Sequence, residues 1–67
     1  MTRLNPIEHK ILKVLIQRRV FMSTREIARR ARVSWNTAFV YLNRFYNRGW
    51  LSRKKVGNRI YWKARVR

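Results

Sequence analysis

The sequence predicts an α+β fold, mostly helical: three helices, a short strand after the first, and a C-terminal β-hairpin. Two patterns carry that expectation. Apolar residues recur at helical spacing as far as about residue 48, and after Gly49 they alternate instead. Residues suited to caps and turns stand at the boundaries between these patterns. With 67 residues and no repeat, low-complexity tract or linker, a single domain spanning 1–67 is expected. Its core is modest, because small domains bury a lower fraction of their surface. A hydrophobic content of 46% with nine aromatics is enough to fold it.

Asn5 and Pro6 open the first helix, as N-cap and first helical residue, and Glu8 stands where it could reach back to the cap. This helix is expected over about residues 6–19. Leu4, Ile7, Ile11, Val14 and Leu15 gather on one side, with Leu12 and Ile16 well round from them. So wide an apolar arc predicts burial between two other elements, with a homodimer through this helix as the alternative. Val20, Phe21 and Met22 are too few for a helix and favour a short strand or extended link. Ser23 and Glu26 form a capping box that starts a second helix over about residues 24–31. Ile27, Ala28 and Ala31 face inward there, while Arg25, Arg29, Arg30 and Arg32 cover the outer side.

The third helix is expected over about residues 35–48, capped by Ser34 and ended by Gly49. Ala38, Tyr41, Leu42 and Phe45 make its apolar face. The opposite face carries Asn36, Val40, Asn43, Arg44 and Asn47, with amides and a guanidinium but no acid. Such a face suits the edges of base pairs in a major groove; a merely solvated face is the plain alternative. The hairpin, over about residues 50–66, turns at Gly57-Asn58, where both residues tolerate positive φ. Ile60, Trp62, Ala64 and Val66 share one face of its second strand, and Tyr61, Lys63 and Arg65 the other. Arg53, Lys54, Lys55 and Arg59 crowd its tip, and seven of the 18 basic residues lie from Arg53 onward. Phosphate contact is favoured over the alternative that these charges keep an edge strand soluble.

Eighteen Lys and Arg against two acids give a formal charge of +16. Charge of that size opposes compaction by self-repulsion, so a polyanionic partner is expected, and nucleic acid is the commonest. The chain has no cysteine, which excludes disulfides and thiolate metal sites. No apolar run approaches the roughly 20 residues of a membrane span, and MTRLNPIEHK lacks a signal-peptide core. A cytoplasmic protein with no membrane partner is the expectation. An enzyme has almost no support. Both acids stand at capping positions, His9 is best read as a surface residue, and there is no phosphate loop. No cofactor, metal or catalytic residue is expected.

The stretch REIARRARVSWNTAFVYLNRFYNRGWL followed by SRKKVGNRIYWKA resembles a winged helix-turn-helix domain of the small prokaryotic, archaeal or viral transcriptional-regulator type. The family's close packing of second and third helices is matched by Ala28 with Ile27, Val33 and Ala38. Its Val-Ser-x-x-Thr opening of the recognition helix is matched by Val33, Ser34 and Thr37. Its Leu-x-x-Leu-x-x-x-Gly-x-Leu ending is matched by Leu42, Phe45, Gly49 and Leu51, with Phe in place of one leucine. Two departures stand out. Many such proteins have glycine in the turn where this chain has Arg32. Positive φ there would cost an arginine on the order of 1 kcal/mol, so a locally different turn is expected. The other departure is an aromatic stripe, Trp35, Phe39 and Tyr46, beside the polar face. Tyr46 is read as packing on the wing or first helix. Trp35 and Phe39 are left between thymine-methyl contact and a protein contact.

The resemblance implies double-stranded DNA as partner and transcription regulation as role. The recognition helix would present Ser34, Trp35, Asn36, Thr37, Phe39, Val40, Asn43 and Arg44 to the major groove, with Asn36 and Asn43 as the best readers of adenine. Ser34 and Thr37 are equally suited to phosphate at the helix N-terminus. Arg25, Arg29, Arg53, Lys54, Lys55 and Arg59 would grip the backbone. Two alternatives remain: an architectural, nucleoid-associated protein of low sequence specificity, and an RNA-binding or assembly module whose Trp and Phe stack on unpaired bases.

Overall fold

A computed structural model describes residues 5–65. In chain order it contains α1 (Pro6–Gln17), β1 (Met22–Ser23), α2 (Thr24–Ala31), α3 (Trp35–Asn47), β2 (Leu51–Val56) and β3 (Arg59–Ala64). The strands form one antiparallel sheet in the order β1-β3-β2. This is an α+β layout compatible with a winged helix-turn-helix. Leu4 and Val66, expected on apolar faces, lie outside the described residues.

Local chemistry accounts for most of the boundaries. Asn5 Oδ1 accepts from the Glu8 amide at 2.8 Å, and Glu8 Oε1 accepts from the Asn5 amide at 2.9 Å, so both arms of the capping box are made. α1 stops at Gln17, a little short of expectation, because Arg18 turns extended while its amide still reaches the Val14 carbonyl. The capping box at α2 is half made. Ser23 Oγ accepts from the Glu26 amide, but the Glu26 carboxylate pairs with Arg30 at 3.0 Å instead of returning to the cap. A guanidinium one turn along offers the carboxylate a charge-assisted bond, which outcompetes a neutral amide. The burial expected for α1 between two other elements is met, since it packs against α2, α3 and β3, with one exception on its wide apolar arc. Ile11, Val14 and Leu15 are buried and Leu12 packs at the core's edge, but Ile16 is 55% exposed.

Arg32 keeps the left-handed conformation, with φ 58° and ψ 47°. The expected local departure from the usual turn does not occur. Two bonds hold it: the Val33 amide donates to the Ala28 carbonyl at 3.0 Å and the Arg32 amide to the Arg29 carbonyl at 3.2 Å. These are the paired bonds of a Schellman ending, and they offset the strain of a side chain at positive φ. Arg32→Gly should therefore raise stability by up to about 1 kcal/mol, part of the gain being lost to glycine's greater freedom when unfolded. The melting temperature should rise by roughly 4–8 °C per kcal/mol gained in a domain of this size. A melting temperature that falls in the variant would show that glycine's freedom in the unfolded chain outweighs any strain at Arg32.

The core closes around Trp62, which is fully buried in the central strand β3. Its indole N–H donates to Thr24 Oγ1 at 2.7 Å, and Thr24 Oγ1 in turn donates to the Ile60 carbonyl at 3.5 Å. A buried indole needs such an acceptor, and a buried threonine at the start of α2 supplies it. Ala38, Leu42 and Phe45 of α3 lie against the same core, as expected from their spacing. Gly49, at φ 80°, ends the helix and lets the chain turn into β2. At the hairpin turn only Gly57 takes positive φ, 60°; Asn58 does not, which is the pattern of a type II′ turn.

Candidate nucleic-acid interface

α3 turns its buried side to α1, α2 and the sheet, which leaves Asn36, Val40, Arg44 and Asn47 exposed on one acid-free face. Asn43 is a different case. Its amide nitrogen donates to the Phe39 carbonyl at 3.1 Å, and its Oδ1 accepts from Arg53 at 3.4 Å. Both ends of that amide are occupied, so Asn43 is a less free reader than the sequence implied. Asn36 carries no such bond among the described residues. At the start of α3, Ser34 Oγ accepts from the Thr37 amide at 3.1 Å and donates to Thr37 Oγ1 at 2.8 Å. The Ser34 hydroxyl is thus consumed by the cap, whereas Thr37 keeps its own hydroxyl hydrogen to donate.

The aromatic stripe is not a row of equivalent groove-facing rings. Trp35 stacks on Phe39 with centroids 4.9 Å apart, and Phe39 meets Trp62 edge-on at 6.3 Å. Phe39 is half-buried, one turn along from Trp35 on the flank of α3 that leans on β3. It packs between Trp35 and Trp62 and is less exposed than Trp35. Tyr46 also meets Trp62 edge-on at 6.3 Å, as its reading as a wing contact required. Trp35 is 49% exposed.

Register sorts the basic residues of the hairpin. Arg53 pairs with Trp62 and Lys55 with Ile60, so these residues point to the inner, helix-facing side of the sheet. Lys54 pairs with Tyr61, Val56 with Arg59 and Ser52 with Lys63 on the outer side. Arg53 is not at the tip. It lies over the Tyr46 ring, 4.2 Å from its centroid, where it ties the hairpin's root to α3. Lys54 faces away from α3 and sits 4.7 Å from the Phe21 ring centroid. Lys55 is exposed on the inner side, and Arg59 follows the turn.

Arg59 comes together with residues distant in sequence. An open groove of about 340 Å³ lies between the starts of α2 and α3 and the hairpin turn, lined by Arg25, Trp35, Phe39, Asn58, Arg59 and Ile60 among others. A shallower depression carries the basic rim on from Arg25 and Arg59 to Arg29 and Arg30. The structure thus gathers Arg25 and Arg59 beside the start of α3, continues the rim along α2 to Arg29, and leaves Arg53, Lys54 and Lys55 out of that group. A second basic surface was not anticipated from sequence. Lys10, Lys13, Arg18, Arg29, Arg30 and Arg32 line shallow grooves between α1 and α2. The spacing of Lys10, Lys13 and Gln17 on one helical stripe was the available signal.

Almost none of this charge is neutralised internally. Glu26–Arg30 is the one ion pair among the described residues, and both side chains are more than two-fifths exposed, so it contributes little. Glu8 is taken up by the α1 cap. No helix among the described residues is long and apolar enough to cross a membrane. No protein-family model matches this chain, and no curated protein matches it either.

Proposed function

We propose that this chain binds double-stranded DNA as a transcriptional regulator of the winged helix-turn-helix type, in the cytoplasm and on the nucleoid. The observation that carries the reading is the adjacency of two surfaces. An exposed, acid-free α3 face with a free Asn36 lies next to a rim formed by Arg25, Arg29 and Arg59. An amide at the start of a helix is suited to adenine in the major groove, while guanidinium groups beside it take the flanking phosphates. Thr37 adds a hydroxyl donor at the same helix end.

The α1–α2 grooves favour a second reading. Lys10, Lys13, Arg18 and Arg32 lie apart from the α3 face and its Arg25–Arg59 rim, are more than one docked duplex requires, and suit an architectural protein that coats DNA.

Selection of bound sequences from a random duplex pool at physiological salt tests the proposal. Enrichment of a site supports the regulator; binding without enrichment supports the architectural protein; absence of binding overturns both. An enriched palindrome would call for a homodimer, with the exposed Ile16 as its apolar contact. On an enriched site, Asn36→Ala should lose about 1–3 kcal/mol of preference over random DNA, the value of one bidentate amide–adenine pair. Its dependence on salt should not change, because no phosphate contact is removed. Anisotropy titrations on both DNAs measure the two quantities, and an unchanged preference would remove Asn36 as a reader.

A further inference from the structure

We propose that the groove between the start of α3 and the hairpin turn holds one unpaired nucleobase with its phosphate, so that the chain prefers duplex DNA carrying an extrahelical base. This rests on the DNA-binding reading and specifies the form of DNA.

The Trp35 ring is nearly parallel to Phe39, at 13°, and stacked on it, yet Trp35 is 49% exposed. One indole face is therefore covered and the other open. The support beneath is fixed: Phe39 abuts Trp62, and Trp62 is anchored to Thr24 by its N–H. An intact duplex offers such a plate little. Its base faces are hidden by stacking, and the indole, with a single N–H donor, is a poor reader of base edges. An unpaired base has a free π-face, and stacking on an aromatic side chain is its usual mode of capture. The rest of the lining suits the remainder of a nucleotide. Arg25 and Arg59 supply cationic donors for the phosphate, and the Asn58 amide offers both a donor and an acceptor to the base edge. No acid lines the groove, and its volume of about 340 Å³ falls within the range of small-ligand sites, roughly 300–1,000 Å³. Exposed aromatic surface and unneutralised positive charge thus meet in one concavity.

The test uses three DNAs of one sequence at one salt concentration: a perfect duplex, the same duplex with a single bulged adenine, and the unpaired strand. Anisotropy titration should give roughly 5- to 100-fold tighter binding to the bulged than to the perfect duplex, as one base–aromatic stack supplies. Trp35→Ala should bring that ratio to about one, whatever it does to affinity for the perfect duplex, and Trp35→Phe should keep part of it. Because Trp35 is half exposed, the variants should fold, which circular dichroism melting checks. Equal affinity of the parent for the two duplexes overturns the inference and leaves DNA binding standing. A preference that survives in Trp35→Ala, or tighter binding to the unpaired strand than to the bulged duplex, also overturns it. Failure to bind any of the three DNAs removes the DNA-binding reading itself.

Discussion

Trp62→Ala is expected to leave the domain unfolded or barely stable at 25 °C. Truncating a fully buried tryptophan costs about 3–5 kcal/mol in lost transfer energy and residual cavity. A domain of this length holds in total roughly 3–10 kcal/mol, at about 0.05–0.15 kcal/mol per residue. The loss also propagates, because Trp62 touches every layer. Its ring receives Phe39 and Tyr46 of α3, its N–H ties β3 to Thr24 of α2, and its backbone pairs with Met22 of β1 and Arg53 of β2. Trp62→Phe keeps an aromatic ring in the same place and removes only the N–H and part of the volume. Thr24 can still donate to the Ile60 carbonyl, so the cost should be clearly smaller, about 1–3 kcal/mol. Urea titrations of the three proteins should rank parent, Phe variant and Ala variant in falling stability. A Trp62→Ala protein that melts within a few degrees of the parent would show that the core is centred elsewhere.

That central role of Trp62 was only half legible in the sequence. The alternation after Gly49 placed it on a face with Ile60 and Ala64, and strand periodicity guarantees that much. It did not say which of Trp35, Trp50 and Trp62 would be buried. That is decided by strand order: β3 lies between β1 and β2, and β1 is contributed by Met22–Ser23, far away in sequence. The elements whose ends carry their own chemistry were legible, namely α1 from Asn5 and Pro6, α3 from Ser34 and Gly49, and the hairpin from Gly57-Asn58. The candidate site was legible as composition and less so as geometry. Adjacent Lys54 and Lys55 must point to opposite faces of a strand, so reading them with Arg53 as one tip cluster counted distance along the chain where register governs. Arg53 and Asn43 look free in sequence and are joined in the fold, because the root of the hairpin lies against α3. The groove at Trp35 needs α2, α3 and the turn together, and no local pattern announces it.

Two triple variants that each remove three of the 18 basic residues should differ sharply in DNA binding although their net charge is equal. One replaces Arg25, Lys55 and Arg59 with glutamine, beside the start of α3 and on the inner side of the hairpin. The other replaces Lys10, Lys13 and Arg18, which line the α1–α2 grooves. All six side chains are exposed, so neither set should disturb folding. Each phosphate contact contributes a slope of about −0.9 in log affinity against log salt, and charges beyond a Debye length of roughly 8–10 Å from the duplex contribute little. If one duplex docks on the α3 face, the first set should flatten the slope by up to about 2.7 units and weaken binding on the order of 10²-fold at physiological salt. The second set should then change the slope by less than about one unit, since α3 packs its buried side on α1 and keeps the outer stripe of α1 away from its own exposed face. Equal losses from both sets would mean that DNA engages both surfaces, which is the architectural reading. A larger loss from the α1 set would move the duplex to the α1–α2 face and overturn α3 as the recognition element. Anisotropy titration of both variants across a salt series separates the three outcomes, because total charge is held constant and only its position changes.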